Sequence, residues 1–235
     1  FRALSDMTAI LLAGGKGTRM PEGEKHLPKL LVEVAGKPML AHHLEHLAAE
    51  GAGRIRLSLG YRAEEIVAWL HASEWKHVEC VIEREPLGTG GGIKLAAKGL
   101  DQPFFAANAD NLADWNIHSL VRHGSQGRFA VICGVEIADA SDFGSMQCDE
   151  HRRICAFNEK QPNAGAGIIN AGAYVLRPQD FDGTPDSFSI ERDLFPKLAA
   201  AGNLVLAKHT GNYWFDCGTA ERLARVREYF SKSHE

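Results

Sequence analysis

The chain has 235 residues, a length that suits one sizeable α/β domain. Its hydrophobic fraction of 45% and charged fraction of 24% are typical of a globular protein with a packed core rather than a disordered one. The formal net charge of −4 gives no sign of the basic surface that nucleic-acid-binding proteins carry.

Strand-like and helix-like segments alternate through the first half of the chain. Short apolar runs predict strands at residues 8–13, 54–59, 78–83 and 103–107. Helical periodicity predicts helices at residues 38–50, 63–72, 93–100 and 117–124, the third starting directly after a glycine-rich turn at 88–92. This alternating order predicts a parallel sheet with helices on its faces and right-handed crossovers.

The second half of the chain is richer in predicted strands. They lie at residues 129–135, 168–176, 204–209 and 213–215, with a hairpin formed by 144–148 and 153–157. Helices are predicted at 189–201, with Ser189 as N-cap, and at 220–231. Because no repeat or long linker separates the halves, we expect residues 1–235 to form a single domain, with halves at about 7–125 and 126–235.

A glycine-rich loop follows the first predicted strand. The sequence LAGGKGTR occupies residues 12–19, and Pro28-Lys29 follows ten residues later. Small residues let backbone N–H groups approach phosphates, and Arg19 and Lys29 add two cations. The loop is neither GxGxxG nor a Walker sequence, and no acidic residue ends the second strand, which argues against a dinucleotide-binding oxidoreductase. We therefore interpret this loop as a phosphate-binding segment.

Two further motifs also follow predicted strands. EPLGTGG spans residues 85–91, and Asn108-Ala109-Asp110 comes directly after an apolar strand. Ligands of parallel sheets bind beyond the carboxyl ends of the strands, where these motifs converge. The Asp110 carboxylate is well placed for Mg²⁺, which takes oxygen ligands and usually only one or two protein carboxylates. Asp114 is a rival carboxylate nearby.

These motifs, in this order, resemble those of the sugar-1-phosphate nucleotidyltransferases over nearly the whole chain. The resemblance implies a Rossmann-like three-layer α/β/α core with a mostly parallel mixed sheet and a β-rich sugar-binding part. It implies that residues 7–125 bind the nucleotide and residues 126–235 the sugar. It also implies an enzyme that uses Mg²⁺ to join a nucleoside triphosphate and a sugar 1-phosphate into a nucleotide sugar, releasing pyrophosphate.

The resemblance also implies roles for individual residues. WFDCGT at residues 214–219 is similar to the family's WxDxGT, so Asp216 joins Asp110 as the second metal ligand. The implied catalytic residues are Arg19, Lys29 and Asp110, although Ala109 stands where the family usually has glycine. The implied nucleotide contacts are Ala13, Gly14, Gly15, Gly17, Thr18, Arg19, Glu85, Gly88 and Thr89.

Three motifs of the second half resemble the family's sugar-binding segments. Phe143-Gly144 is similar to Tyr-Gly, residues 157–160 (FNEK) to F-x-E-K, and Asn170-Ala171-Gly172 to N-x-G. In the family, these positions contact the sugar and hold its phosphate. The implied sugar-phosphate contacts are Gly144, Glu159, Lys160 and Asn170.

The substrate pair is narrowed by three longer segments. EPLGTGGGI, FSIERDLFP and YWFDCGTAE most resemble D-glycero-D-manno-heptose-1-phosphate guanylyltransferases, which implies GTP and that heptose 1-phosphate. N-acetylmuramate-1-phosphate uridylyltransferases and glucose-1-phosphate thymidylyl- or uridylyltransferases are the alternatives. A regulatory subunit that binds a nucleotide sugar without turnover is the alternative of another class, disfavoured because the motif cations and aspartates are all present.

The remaining features indicate no other chemistry. Five widely spaced cysteines without a CxxC pair predict neither a disulfide framework nor a zinc site. No apolar run approaches the ~20 residues that span a bilayer, so we expect a cytoplasmic protein without membrane or nucleic-acid partners. Residues 1–6 are read as either non-native or the edge of a longer protein, and a homo-oligomer stays open. His42, His43 and His46 are expected on a helix surface or at a subunit contact.

Overall fold

The computed structural model describes residues 6–14, 27–124, 128–158, 160 and 162–232. Within these residues there are thirteen strands, which largely follow the predicted ones, with three short additions, β2, β3 and β7. They are β1 (Thr8–Ala13), β2 (Glu33–Val34), β3 (Lys37–Pro38), β4 (Arg54–Leu59), β5 (Glu79–Ile82), β6 (Phe104–Asn108), β7 (Asn111–Ala113), β8 (Ala130–Ile137), β9 (Ser145–Cys148), β10 (Ile154–Asn158), β11 (Gly167–Leu176), β12 (Leu204–Lys208) and β13 (Trp214–Asp216).

Six α-helices accompany these strands in the described part of the chain. They are α1 (Met39–Ala49), α2 (Ala63–His71), α3 (Gly88–Ala96), α4 (Ile117–His123), α5 (Phe195–Ala200) and α6 (Ala220–Lys232). A π-helical turn, Ile190–Leu194, leads into α5, and the Ser189 side chain caps it by accepting from the backbone N–H of Arg192, as predicted. None of the helices in this part of the chain combines the length and the apolar character that crossing a membrane requires.

The main sheet has a parallel centre and an antiparallel extension. Strand β1 pairs in parallel with β4 and β6, and β4 pairs in parallel with β5. Strand β11 then runs antiparallel to β6 and to β8, and β8 pairs in parallel with β12. The hairpin of β9 and β10 joins the beginning of β11. The long β11 therefore connects the parallel part to the β-rich part, which confirms the predicted mixed sheet.

Helices cover both faces of the parallel strands. Ala9, Ile10 and Leu11 in β1 are all fully buried, as expected for a central parallel strand. Leu11 packs in one apolar cluster that includes α1, α2 and α4, while Ile10 packs in a second cluster that includes α3 and α5. The alternation of β1 side chains between two helical layers gives the predicted three-layer α/β/α core.

Candidate active site

The first strand ends in a closely packed backbone at the carboxyl edge of the sheet. Gly14 follows β1, and Gly60 follows the neighbouring β4. A Cβ on Gly60 would lie 3.2 Å from the Gly14 carbonyl oxygen, and a Cβ on Gly14 would lie 3.3 Å from a carboxylate oxygen of Glu83. The end of β1 at Gly14 therefore lies in direct contact with the residues that follow β4 and β5.

Glu83 lies beside Gly14 at this edge of the sheet, although it was not among the predicted site residues. Its Oε1 accepts a hydrogen bond of 3.1 Å from the buried Ser58 hydroxyl, and its Oε2 accepts one of 3.1 Å from the backbone N–H of Leu87. A Cβ on Gly92 would lie only 2.5 Å from Oε1. The Glu83 carboxylate therefore connects Ser58 in β4 to Leu87, the residue before α3, and lies beside Gly14. The sequence could have indicated Glu83, because this residue ends a predicted strand. Glu85, the residue that was predicted to contact the nucleotide, is exposed.

The glycine-rich turn predicted before the third helix is wrong. Helix α3 begins at Gly88, so the glycines lie inside its first turns. A Cβ on Gly90 would overlap the Phe188 ring, and one on Gly91 would overlap the carbonyl oxygen of Asp186. Glycine disfavours helices by about 1 kcal/mol relative to alanine, which explains the prediction of a turn. Close packing of the 186–188 segment overrides that preference.

The hydroxyl of Thr89 is engaged within the protein. It donates a 2.6 Å hydrogen bond to Oε2 of Glu191 and accepts one of 3.0 Å from the backbone N–H of Ile190. The Ser189 hydroxyl donates to the same Glu191 oxygen at 2.8 Å. These bonds fasten the start of α3 to the turn before α5. The nucleotide contact predicted for Thr89 stays a prediction, and in this arrangement its hydroxyl proton is already committed.

Asp110 and Lys29 lie together, as the motifs predict. Lys29 starts a 3₁₀ helix, Lys29–Leu31, and its Nζ lies 3.3 Å from Oδ2 of Asp110, just after β6. The Lys29 side chain is 13% exposed and that of Asp110 is 48% exposed. A shielded cation therefore contacts a carboxylate that remains open to a ligand.

Asp216 is brought beside Asp110 by a separate two-stranded sheet. Strand β13 pairs antiparallel with β7, with Asp216 opposite Asn111. The backbone N–H of Cys217 donates a 2.9 Å hydrogen bond to the carbonyl oxygen of Asp110. The buried Cys217 thiol lies within electrostatic range of Lys29, Asp110 and Asp216. The structure thus gathers these three predicted residues in one place.

The two carboxylates fit Mg²⁺ in the chemistry of their donors. Oδ1 of Asp216 accepts from the backbone N–H of Gly218 at 2.6 Å, and Oδ2 accepts from Nη1 of Arg222. A carboxylate offers about four lone-pair positions, so coordination sites remain on Asp216 as well as on Asp110. No cluster of three or more His, Cys, Asp or Glu able to hold a metal occurs among the described residues. An ion that takes one or two carboxylates and completes its shell with phosphate oxygens suits this site.

Asp114, the rival carboxylate, has a structural role. It accepts hydrogen bonds from the backbone N–H groups of Asn212, at 2.6 Å, and Tyr213, at 3.0 Å, and from the Asn212 side chain at 2.9 Å. Burial alone would raise the pKa of Asp114, but these donors outweigh it and lower the pKa. Asp114 therefore anchors the loop before β13 instead of facing a ligand.

The predicted sugar-side residues converge through the pairing of β9, β10 and β11. Ser145, next to Gly144, pairs with Asn158 and with Ile169, the neighbour of Asn170. A Cβ on Gly144 would lie 2.8 Å from the Asn158 carbonyl oxygen. Lys160 is exposed two residues beyond Asn158. Gly144 and Asn170 are therefore near neighbours, close to the end of the strand that leads to Lys160.

The Asn170 side chain is held by its own strand. Its Oδ1 accepts from the backbone N–H of Gly172 at 2.8 Å, and its Nδ2 donates to the Tyr174 hydroxyl at 3.0 Å. Gly172 has a φ of +80°, at the irregularity in the β11–β8 register, and a side chain there would collide with Asn111. Ala13 ends β1 and is half-buried, and its predicted nucleotide contact stays a prediction. The other predicted contacts lie outside the described residues; they are Gly15, Gly17, Thr18, Arg19 and Glu159.

His43 of α1 is buried, so the expectation that it lies on a helix surface or at a subunit contact is wrong, whereas His42 and His46 are half-buried. The Nε2 atoms of His42, His43 and His46 bond backbone carbonyl oxygens at 2.8–2.9 Å; the acceptors are Val34, Ala109 and Trp115 respectively. His43 is 3% exposed, and burial lowers its pKa to about 4. Its spacing of four residues from Met39 and from Leu47 places it in the apolar stripe, which was a readable signal. His43 supports the peptide group that precedes Asp110.

The chain is similar in sequence to known proteins over most of its length. Residues 8–233 match the family model described as Nucleotidyl transferase. Mannose-1-phosphate guanylyltransferase 1 of Arabidopsis thaliana is 35% identical over 222 residues, which cover 90% of this chain and 61% of the relative. Mannose-1-phosphate guanyltransferase of Yarrowia lipolytica is 36% identical over 221 residues, with the same coverage. The chain thus spans 61% of the length of these curated relatives.

A solved structure extends the agreement to the fold. HddC from Yersinia pseudotuberculosis, complexed with GMP-PN, superposes with a TM-score of 0.83 and 33% sequence identity, covering 95% of this chain and 99% of that one. The family model covers nearly the whole chain, residues 8–233. The chain therefore belongs to the nucleotidyl transferase family.

Proposed function

We propose that the chain transfers a nucleotidyl group from a nucleoside triphosphate to a sugar 1-phosphate and releases pyrophosphate. The observation that carries this proposal is the meeting of Asp110 and Asp216, which lie far apart in the sequence, with Lys29 bonded to Asp110. Two carboxylates and a cation at the carboxyl edge of a parallel sheet suit a phosphate-transfer site. Its relatives carry the names of sugar-phosphate guanylyltransferases, which supports the same reaction.

The reaction is an in-line displacement at phosphorus. An oxygen of the sugar phosphate attacks the α-phosphorus of the triphosphate, and the bond to the pyrophosphate oxygen breaks. Because the attacking phosphate is already anionic, no side chain has to remove a proton from it. The task of the chain is to hold two anions in line and to offset their charge.

The proposed charge-bearing residues divide this task. Asp110 and Asp216 would hold Mg²⁺, which when bound neutralises phosphate oxygens. Lys29, whose ammonium group already lies at Asp110, is suited to the α-phosphate region. Arg19 is proposed to stabilise the departing pyrophosphate, and Lys160 to hold the incoming sugar phosphate.

For the base, we propose guanine, so that GTP is the nucleotide. The relatives named guanylyltransferases and the HddC structure with GMP-PN support this choice. So does the local chemistry, because the Glu83 carboxylate lies beside Gly14 and Glu85 precedes the start of α3. Guanine offers N–H donors on its Watson–Crick edge, and a carboxylate accepts them. The proposed cellular site is the cytoplasm, where nucleoside triphosphates are made.

For the sugar, we propose D-glycero-D-manno-heptose 1-phosphate. The segments EPLGTGGGI and FSIERDLFP support this choice by their resemblance to the heptose enzymes. Mannose 1-phosphate is the second candidate, because the curated relatives carry its name. The two sugars share the manno configuration of the ring and differ by one carbon beyond it. Discrimination between them therefore falls to the part of the site that faces this extra carbon.

A pyrophosphate-release assay tests the proposal. With Mg²⁺ present, each of the four nucleoside triphosphates is combined with heptose, mannose, N-acetylmuramate and glucose 1-phosphates. We expect the highest kcat/KM for GTP with the heptose phosphate, and loss of release in Asp110→Asn. Preference for mannose 1-phosphate would favour the second candidate, and UTP with N-acetylmuramate 1-phosphate or a glucose pair would replace both. Nucleotide-sugar binding without release from any pair would indicate a regulatory subunit.

A further inference from the structure

Arg222, on α6, connects two aspartates from distant parts of the chain. Its Nη1 donates to Oδ2 of Asp216 at the end of β13, and its Nη2 donates to Oδ2 of Asp142 at 3.0 Å. Asp142 lies in the loop between β8 and β9, next to the Phe143-Gly144 pair. One guanidinium group therefore spans from a proposed metal ligand to the proposed sugar side.

The guanidinium group of Arg222 also contacts Phe143, the aromatic residue in the loop of residues 142–144. The Cζ atom of Arg222 lies 5.0 Å from the centre of the Phe143 ring, within the range of a cation–π contact. The Phe143 ring meets Trp214 of β13 edge-on at 6.2 Å. Beyond it, Gly144 packs against the Asn158 carbonyl, on the strand that leads to Lys160. The loop of residues 142–144 is thus fixed between α6, β13 and β10.

We propose that Arg222 is a positioning residue that holds Asp216 and the loop of residues 142–144 in one arrangement. The inference rests on the proposed function, because it assigns Arg222 to the metal and sugar-phosphate sites of that reaction. A guanidinium is planar and offers five donors in a rigid fork, so it can orient two carboxylates at once. With Gly218 bonded to Oδ1 and Arg222 to Oδ2, both oxygens of Asp216 have fixed directions.

The positive charge of Arg222 favours ligand binding, as does its orientation of Asp216. A guanidinium repels a bare divalent cation, but the ligand of this site is a metal–nucleotide complex with a net negative charge. The sugar 1-phosphate is also an anion. Loss of Arg222 therefore removes both an oriented ligand and an attractive charge, and the two losses add.

Helix α6 does not depend on Arg222 for its attachment. Leu223 and Val226 are fully buried in a cluster with Leu112 and Met39, and the Thr219 hydroxyl accepts from the backbone N–H of Arg222 at the start of the helix. Arg222 itself is 26% exposed. Replacement of its side chain should leave the helix in place, so its role can be tested in a folded protein.

Four variants separate the two ends of the contact. Arg222→Met removes both bonds, Arg222→Lys keeps the charge but cannot bridge both carboxylates, and Asp142→Asn weakens only the sugar-side bond. Arg225→Met is the control, because Arg225 lies on the same helix in an exposed pair with Glu221. Four quantities are measured for each: the melting temperature, Mn²⁺ binding by EPR with GTP but no sugar phosphate, and the kcat and the KM for the sugar 1-phosphate in pyrophosphate release.

The expected pattern distinguishes positioning from support of the fold. In Arg222→Met, we expect Mn²⁺ binding to weaken by about 10-fold or more and kcat to fall by roughly 10–100-fold, with a higher KM for the sugar 1-phosphate. In Arg222→Lys and Asp142→Asn, the KM should rise while Mn²⁺ binding stays close to wild type. Arg225→Met should change none of these quantities. A change in melting temperature alone, with wild-type Mn²⁺ binding and KM in Arg222→Met, would overturn the inference.

Failure of the proposed function gives a different result. If the wild-type protein releases no pyrophosphate from any substrate pair, that function is wrong, yet the Mn²⁺ comparison still decides whether Arg222 orients Asp216. If Arg222→Met does not fold, Arg222→Lys and Asp142→Asn carry the test. Wild-type KM in both of those variants would then contradict the link to the sugar side.

Discussion

The carbonyl oxygen of Asp110 accepts a 2.9 Å hydrogen bond from the backbone N–H of Cys217. The bond continues the β7–β13 pairing and sets Asp110 next to Asp216 through the main chain. Each carboxylate also has its own basic partner, Lys29 for Asp110 and Arg222 for Asp216. Main-chain pairing therefore sets Asp110 and Asp216 side by side, and their basic partners offset the negative charge of the two carboxylates in the absence of a ligand.

Replacing either aspartate by asparagine should strongly reduce turnover without unfolding the protein. Asp110→Asn and Asp216→Asn keep the shape but remove the negative charge that would hold Mg²⁺, and we expect a loss of about 10²–10³ in kcat. Pyrophosphate release and the melting temperature are measured together. Asp114→Asn is the matched control: it should cost about 1–3 kcal/mol of stability, since its backbone donors lose an acceptor, and leave the folded enzyme active. The reverse pattern would exchange the roles of Asp110 and Asp114.

Lys29→Met should reduce kcat by roughly 10²–10³ with little effect on stability. The folding cost is small because Asp110, its partner, is 48% exposed and stays solvated when the cation is removed. Lys29→Arg should not restore the rate, since a fork of donors cannot replace a compact ammonium group at a position where the Lys29 side chain is only 13% exposed. Lys37→Met serves as control, because Lys37 pairs with Glu45 on the surface. Equal rates in Lys29→Met and Lys37→Met would remove Lys29 from the mechanism.

Gly91→Ala should destabilise the protein although alanine favours helices. The added methyl group would overlap the backbone carbonyl oxygen of Asp186, which cannot move without the whole segment. Overpacking of this kind costs about 1–3 kcal/mol, more than the ~1 kcal/mol gained in helix propensity. Urea unfolding measures the difference. The control is Gly99→Asn, just after α3, where φ is +83° and no atom lies within 4 Å of the added Cβ. A more stable Gly91→Ala would show that the contact is loose.

The elements that the sequence predicts well are those with a local signal. Strand β1 is a buried apolar run that ends in glycine, and α1 carries an apolar stripe, so both are recognisable without their neighbours. Strand β7 has only three residues, and its partner β13 lies about a hundred residues later. Nothing within residues 111–113 encodes that pairing, so it was not predicted.

Residues of the candidate site could be predicted from the sequence when they belong to a recognisable motif. Residues whose role comes from a contact with a distant part of the chain could not be predicted. Asp110, Lys29 and Asp216 were found by their motifs, and the structure brings them together. Glu83 and Arg222 carry no motif, and each has one partner that lies far away in sequence, Ser58 for Glu83 and Asp142 for Arg222. The start of α3 was misplaced for the same reason, because only the contact with residues 186–188 explains glycines within a helix.

The buried imidazole of His43 should make stability depend on pH below neutrality. Burial lowers its pKa to about 4, with smaller contributions from the bond to the Ala109 carbonyl and from Asp110, which raise it, and from His42 and His46, which lower it. In the unfolded chain, histidine titrates near its ordinary value of about 6.5. Between these two values the unfolded state binds more protons than the folded state, so stability falls as the pH falls. The contribution of His43 is complete above pH 6.5 and is lost as the pH approaches 4.

The size of this effect is on the order of 3 kcal/mol, from the separation of the two pKa values. His43→Gln is the matched variant, because a Gln amide can still donate to the Ala109 carbonyl but does not titrate. Urea unfolding of both proteins at pH 7.5, 6 and 5 gives the comparison, in which the other histidines titrate alike. We expect wild type to lose stability relative to His43→Gln as the pH decreases. A difference between the two proteins that stays constant with pH would mean that His43 becomes protonated in the folded protein as readily as in the unfolded chain.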